Sequence, residues 1–433
     1  MLNFVSKPVH SLKGEITVPG DKSISHRSII FGAIADGTSV IDGFLNGEDC
    51  MATLRAFQSM GVEIEGPNQQ RVIIHGVGKH GLKQPKNIID CGNSGTSMRL
   101  LAGLLAAQEF DSQLTGDESL LKRPMLRISR PLSQMGADIT TQDGKPPIVI
   151  KGGKILRGIH YVMPEASAQV KSCLLLAGMY AEGQTKITEN AVSRDHTEQM
   201  LKAFSYPIQI SDNSIIIENK GECRGTHLHV PGDISSAAFF IVAASIIPGS
   251  DILIRNVGVN PTRTGVISIL TEMGADISVL NQRAFGEELV ADLRVKHSQL
   301  KGINIPASMV PLAIDEFPVI FVAAACAKGQ STLHGAKELR LKESDRIGAM
   351  VDGLNRLGIY AEGFEDGILI KGGKIHGGEV DSLGDHRIAM SFAVAGAVAN
   401  SPVSIRNCTN VATSFPSFVS TANLLCFQIE EYS

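Results

Sequence analysis

The chain has 433 residues with 40 Lys+Arg against 44 Asp+Glu, a formal charge of −4 that excludes the basic footprint of a dedicated nucleic-acid binder. Apolar residues make up 43% and charged residues 19%, enough to bury a large core, while no Trp and only 5 Tyr leave few platforms for stacking bases or sugars. Seven scattered Cys without a CxxC pair argue against a disulfide or zinc framework and for reduced thiols in a cytosol. The amino-terminal MLNFVSKPVHSLKGE has no apolar signal-peptide core, and the longest apolar runs, 237–248 and 388–399, fall short of the roughly 18–20 residues a membrane span needs. A cytoplasmic protein without membrane or nucleic-acid partners is expected.

Taken in chain order, one element recurs six times. It is an apolar helix with a polar start: DKSISHRSIIFGAIA, GNSGTSMRLLAGLLAA, SAQVKSCLLLAGMYA, DISSAAFFIVAASII, DEFPVIFVAAACA and DHRIAMSFAVAGAVA. The starts are predicted near Ser23, Asn93, Ser167, Asp233, Asp315 and Asp385, so the repeat spans the chain. Each run is apolar nearly all round, the pattern of a buried helix, and opens on a residue type suited to an N-cap. A second recurring element is a helix ending in Met-Gly or Leu-Gly before an alternating strand: MGVEI at 60–64, MGADI at 135–139 and 273–277, and LGIYA at 357–361. Weaker copies are AFSYPIQI at 203–210 and LLCFQIE at 424–430.

One repeat therefore reads strand, buried helix, strand, surface helix and one or two strands. Six such units exceed a single core, which stops growing at about 250–300 residues. Two Pro-Gly-Asp turns, at 19–21 and 231–233, mark a double crossover. Residues 1–20 with 233–433 are expected to form one domain and residues 21–232 the other, each of three repeats.

Helix starts favour anions through their free N–H groups and dipole, and the charged residues gather there. Lys22, Ser23, His26 and Arg27 open the first buried helix, where cations oppose the dipole unless an anion joins them. Gly95 follows Asn93, the expected cap of the second helix, at a place where backbone can approach a ligand. Lys122 and Arg123 precede a surface helix predicted to begin at Pro124, with Arg127 and Arg130 further along. Ser167, Lys171 and Arg194 belong to the third repeat. Asp315, Glu316, Lys342, Glu343, Asp345, Arg346, Asp385, His386 and Arg387 recur at matching points of the last two. If the helix starts face an interdomain cleft, that cleft binds two anionic small molecules, gripped by Arg forks and worked on by carboxylates. The histidines are read as dispersed and without HxxxH or HxH spacing, so no metal site is expected. The P-loop and Rossmann glycine patterns are absent, which disfavours ATP or NAD chemistry, and no cofactor is expected.

The motifs PGDKSISHR, GNSGTSMR, KRPM, SAQVKS, SRDHT, LRLKESDR and GDHRIAMSF, in this order, resemble the 5-enolpyruvylshikimate-3-phosphate synthase (3-phosphoshikimate 1-carboxyvinyltransferase) family over essentially the whole chain. SAQVKS and SFP are similar to its class II members. The resemblance implies an α/β fold of two similar domains, each of three βαβαββ repeats, an inside-out α/β barrel with the active site in the interdomain cleft. It implies transfer of the enolpyruvyl group of phosphoenolpyruvate to the 5-hydroxyl of shikimate 3-phosphate, through a tetrahedral intermediate and without a metal, in a monomer of the shikimate pathway to aromatic amino acids.

Carried over residue by residue, Lys22, Ser23, Arg27, Ser167, Ala168, Gln169, Arg194, Asp315 and Lys342 would bind shikimate 3-phosphate. Lys22, Gly95, Arg123, Gln169, Arg346 and Arg387 would hold phosphoenolpyruvate. Asp315 would take the 5-hydroxyl proton, Glu343 would handle the proton at the methylene carbon, and Lys22 would bridge both substrates. One departure is Thr413, where many members carry a Lys before a TFP sequence; here the stretch reads VATSFPSF. The sister family of UDP-N-acetylglucosamine enolpyruvyl transferases uses a loop Cys, whereas the stretch here, GDESLLKRPMLR, has none. A non-catalytic anion-binding repeat protein is the alternative of another class, and it predicts caps and surface charges without acid–base pairs.

Overall fold

A run that is apolar on every side forms a stable helix only when other elements wrap it. All six predicted runs are such helices in the computed structural model, which describes residues 2–433. They are α1 (Lys22–Ala33), α2 (Gly95–Leu105), α3 (Ala168–Gly178), α4 (Ile234–Ile246), α5 (Phe317–Cys326) and α6 (His386–Val398). Every residue of α4 is buried. In α1 only Lys22 and Ser23 escape full burial, in α2 only Thr96, and in α3 only Ala168 and Gln169.

Three helix starts differ from expectation. Asp21, not Ser23, caps α1, accepting from the Ile24 amide at 2.9 Å. Ser94, not Asn93, caps α2, because the Asn93 amide is drawn sideways to Asp117 at 2.8 Å and to Arg123 at 3.0 Å. No side chain caps α5: Glu316 holds that position, and Asp315 lies one residue outside the helix. The surface helix after Lys122 begins at Leu126 rather than Pro124 (Leu126–Gln134). Leu120–Lys122 forms a short 3-10 turn, and Arg123 takes the extended backbone that a residue before proline prefers.

Among the described residues the strands form six separate four-stranded sheets. In one, Ile89–Asp90 pairs in parallel with Ser112–Thr115, which pairs antiparallel with Lys145–Lys151, itself antiparallel to Asp138–Gln142. With α2 and Leu126–Gln134 this is a βαβαββ unit, and the other five follow the same strand order. The sheets do not close into a barrel, so the inside-out character lies in the layering, with apolar helices within and sheets outside them.

By contact the chain divides into two compact units. One takes the chain up to Pro19 with Pro231–Ala284 and Glu288–Ser433; the other takes Gly20–Val230 with Phe285–Glu287. Each has its own core, one built on α4, α5 and α6 and the other on α1, α2 and α3. In the unit of Gly20–Val230, the late strand His227–His229 returns to pair in parallel with Asp36–Asp42 and completes the first sheet. In the other, Lys13–Thr17 does the same beside Asp251–Gly258. No helix among the described residues is long and apolar enough to cross a membrane.

The recurring Met-Gly or Leu-Gly has a single physical cause. Gly61, Gly136, Gly274 and Gly358 each follow the last turn of a surface helix with φ between 81° and 98°, where glycine closes a helix without a Cβ clash. The two weaker copies keep the conformation and lose the glycine: Ser205 has φ 61° and Cys426 φ 71°. An L side chain there costs about 1–2 kcal/mol, part of which glycine returns as unfolded-chain entropy. Ser205→Gly and Cys426→Gly should each stabilise the protein by up to about 1 kcal/mol. Urea midpoints check this, with Gly61→Ala moving the opposite way.

Candidate active site

In the unit of Gly20–Val230, charged groups gather at the starts of α1, α2 and α3. Arg27, one turn into α1, is nearly fully buried and all its nitrogens are directed. Nε donates to Thr197 Oγ1 at 2.7 Å, one terminal nitrogen to Ser172 Oγ at 2.7 Å and the other to the Ser23 carbonyl at 3.0 Å. Ser172 in turn donates to the Ala168 carbonyl at 2.6 Å, so Arg27 ties α1 to α3. Lys22 Nζ reaches Asp49 Oδ2 at 2.7 Å. His26 sits fully buried behind them with Nδ1 2.8 Å from Thr53 Oγ1. Burial first, then the charges of Lys22 and Arg27, hold its pKa well below the usual histidine value, so it stays neutral.

A second cluster joins α2 to α3. Gln169 Oε1 accepts from Arg99 at 2.5 Å and Gln169 Nε2 donates to Thr96 Oγ1 at 3.0 Å. Arg123 is buried and reaches Asn93 Oδ1 at 3.0 Å and Ser119 Oγ at 3.4 Å. A Cβ on Gly95 would stand 3.0 Å from an Arg99 nitrogen and 3.1 Å from an Arg123 nitrogen, so a side chain at 95 would crowd both guanidinium groups. Ser167 caps α3 through the Val170 amide at 3.4 Å. Arg194 is half-buried on the turn beside Ser193. That turn is anchored by Glu189, which accepts from the Ser193 amide at 3.2 Å and from its hydroxyl.

In the other unit one guanidinium organises the carboxylates. Arg346 is 1% exposed. It donates to Asp385 Oδ2 at 2.8 Å, to Glu343 Oε2 at 2.6 Å and to Asp315 Oδ1 at 3.3 Å. Lys342 Nζ lies 3.7 Å from the same Asp315 oxygen. Arg387 reaches this group through its backbone, whose N–H donates to Asp385 Oδ1 at 2.9 Å, while its side chain faces the buried Glu316 at 3.9 Å. Glu316 also accepts from the Ser235 hydroxyl. Thr413 supplies no cation: its hydroxyl donates to the Asn410 carbonyl at 2.7 Å and closes its own 3-10 turn.

The structure thus brings Asp315, Lys342, Glu343 and Arg346 into one group, and Lys22, Ser23, Arg27, Ala168, Gln169 and Gly95 onto three adjoining helix starts. Lys122 and Arg130 are exposed surface charges. The sequence reading passed over Arg99, Asp49, Thr197, Ser172 and the pairing of Lys171. Lys171 is 1% exposed and lies 3.0 Å from Glu189 and 2.7 Å from Glu198. A lysine inside an otherwise apolar helix was the available signal, because a buried ammonium needs carboxylates. The reading of dispersed histidines also fails at one place. His227 and His229 stand two residues apart, and their ring nitrogens and an Asp42 oxygen lie within 4.8 Å of one another.

Burial and, less, the charge of Glu343 push the Asp385 carboxyl up, but Arg346, with its hydrogen bond and His386, outweighs them and holds it below the usual range. A carboxyl whose folded pKa is depressed binds fewer protons folded than unfolded. It therefore contributes stability above the unfolded value near 3.9, and that contribution is lost as pH falls through the folded value. Asp385→Asn should destabilise the protein by about 3 kcal/mol at pH 7. The gap to the parent protein should narrow as urea titrations are taken below about pH 4.

With this geometry in hand, the comparisons with known proteins agree. The family described as EPSP synthase (3-phosphoshikimate 1-carboxyvinyltransferase) matches residues 6–422. The chain is 85% identical to a 3-phosphoshikimate 1-carboxyvinyltransferase of Legionella pneumophila subsp. pneumophila strain Philadelphia 1, covering 100% of both chains. It is 59% identical to one from Methylococcus capsulatus strain Bath, covering 99% and 98%. A solved EPSP synthase structure from Acinetobacter baumannii superposes with a TM-score of 0.89 at 55% identity, covering 100% of both chains. The chain therefore belongs to the EPSP synthase (3-phosphoshikimate 1-carboxyvinyltransferase) family.

Proposed function

We propose that the chain transfers the enolpyruvyl group of phosphoenolpyruvate to the 5-hydroxyl of shikimate 3-phosphate, giving 5-enolpyruvylshikimate 3-phosphate and phosphate. As such it is a transferase of the shikimate pathway to aromatic amino acids. Family membership carries the reaction class. The observation that carries the residue assignment is that one buried guanidinium, Arg346, holds Asp315 and Glu343 together.

Two proton movements are needed. Protonating the phosphoenolpyruvate methylene makes the neighbouring carbon electrophilic, and the 5-hydroxyl attacks it as its own proton leaves. Asp315 takes the hydroxyl proton, with Lys342 beside it. Glu343 delivers the proton to the methylene carbon. The tetrahedral adduct then collapses: the new methyl group returns a proton to Glu343, the carbon–oxygen bond to phosphate breaks, and phosphate departs with the proton that Asp315 had taken, which restores both carboxyl groups to their starting forms. Neither step uses a covalent bond to the protein.

Lys22, Gly95, Arg123, Gln169, Arg346 and Arg387 hold phosphoenolpyruvate. Lys22, Ser23, Arg27, Ser167, Ala168, Gln169, Arg194, Asp315 and Lys342 hold shikimate 3-phosphate, which leaves Lys22 to bridge the two. Lys22, now paired with Asp49, exchanges a carboxylate for a substrate anion. Holding two substrates in attack geometry removes entropy from the reacting step. A cytoplasmic monomer without a cofactor is part of the same reading. A sugar-nucleotide acceptor is not favoured, since the stretch GDESLLKRPMLR carries no Cys where that sister family has a loop Cys.

Phosphate release from phosphoenolpyruvate, followed with EDTA present, should require shikimate 3-phosphate and fail with UDP-N-acetylglucosamine. Asp315→Asn and Glu343→Gln should each lower kcat by about 10²–10⁴-fold while shifting KM far less. Release with the sugar nucleotide alone, or full activity of both variants, would contradict the assignment.

A further inference from the structure

We propose that His227, His229 and Asp42 form a binding site for one divalent transition metal ion of the zinc, nickel or copper type, separate from the residues assigned to the reaction. His227 and His229 are positions i and i+2 of the strand His227–His229, so their side chains leave the sheet on one side. That strand lies parallel to Asp36–Asp42 with His229 opposite Asp42, the last residue of its own strand. The register therefore delivers two imidazoles and one carboxylate to the same end of the same sheet.

Both ring nitrogens converge on a single oxygen. His227 Nε2 is 2.6 Å and His229 Nε2 3.8 Å from Asp42 Oδ2, and the two rings lie 5.5 Å apart at 31° to one another. A tetrahedral ion with bonds of about 2.0–2.2 Å sets its donor atoms roughly 3.3–3.5 Å apart. The three donors already bracket that spacing, and both histidine side chains are 58% exposed and able to turn. The ion takes the place of the proton now shared between His227 and Asp42.

The other Asp42 oxygen, Oδ1, accepts from Arg71 Nε at 2.6 Å. That bond leaves Oδ2 for the ion and orients the carboxylate, the role outer partners play around metal ligands. Two imidazoles select borderline metals over magnesium and calcium, which prefer all-oxygen surroundings. With three protein ligands the remaining position falls to water. The ion would pin a three-residue strand to its neighbour one residue before Val230, where the chain leaves this unit.

The test is calorimetric titration of the full-length protein with zinc chloride, alongside thermal melts. One saturable site in the micromolar range and a melting temperature raised by zinc, with magnesium chloride inert, are expected. Losing an outer partner alone weakens metal sites about 10–100-fold. Arg71→Gln should therefore weaken zinc at least about 10-fold, and the His227→Gln/His229→Gln double variant should abolish both the site and the thermal shift. The double variant must melt like the parent without metal, which separates lost binding from lost folding. Zinc binding with unchanged affinity and stoichiometry in that variant, or no saturable binding up to millimolar zinc, would overturn the proposal.

Discussion

A helix buried on every side has nowhere along its length to carry chemistry, and that constraint shapes the rest of this molecule. In the unit of Gly20–Val230 the residues of the three buried helices that escape burial are Lys22, Ser23, Thr96, Ala168 and Gln169, all in first turns. There the free amides and the dipole already favour anions. The wrapped helix determines where polar groups can stand, and the dipole determines the charge of the ligand that suits them. A fold of repeated buried helices is thereby predisposed to bind anionic substrates at one kind of place, and the sequence places lysine and arginine where the dipole alone would disfavour them.

The cost of that arrangement is buried cations, each of which needs a partner. Arg346 is met by three carboxylates, Lys171 by two, and Arg27 by hydroxyls and a carbonyl. These pairings hold the site in shape before substrate arrives, which is where electrostatic stabilisation of a reaction draws its strength. They also divide the labour. Arg27 ties α1 to α3 through hydroxyls and a carbonyl, whereas Arg346 gathers carboxylates. Asp315 escapes capping duty because α5 begins one residue later, which releases its carboxylate to face Lys342 and Arg346.

The repeat, the buried helices and the family motifs were legible in the sequence because each depends on local pattern: apolar periodicity, a polar start, a glycine after the last turn. The exact caps were not, since the choice between neighbours is made by side-chain partners far along the chain, as when Asp117 draws Asn93 away from α2. The weak copies at Ser205 and Cys426 hid a conserved backbone conformation behind the wrong residue type. The pairings of Lys171 and Arg99 were not legible, because their partners lie up to 70 residues away. The histidine pair was legible as His-Leu-His at 227–229 and was misread as absent; its carboxylate was not legible, because Asp42 comes 185 residues earlier than His227 and only the sheet register unites them.

The central claim is the proposal that Glu343 moves the methylene proton. Deuterium incorporation from solvent into the phosphoenolpyruvate methylene, followed by proton NMR with shikimate 3-phosphate present, tests it most directly. The account predicts exchange in the parent protein and its loss in Glu343→Gln, with shikimate 3-phosphate still bound at near-parent affinity. Exchange at the parent rate in that variant would contradict it.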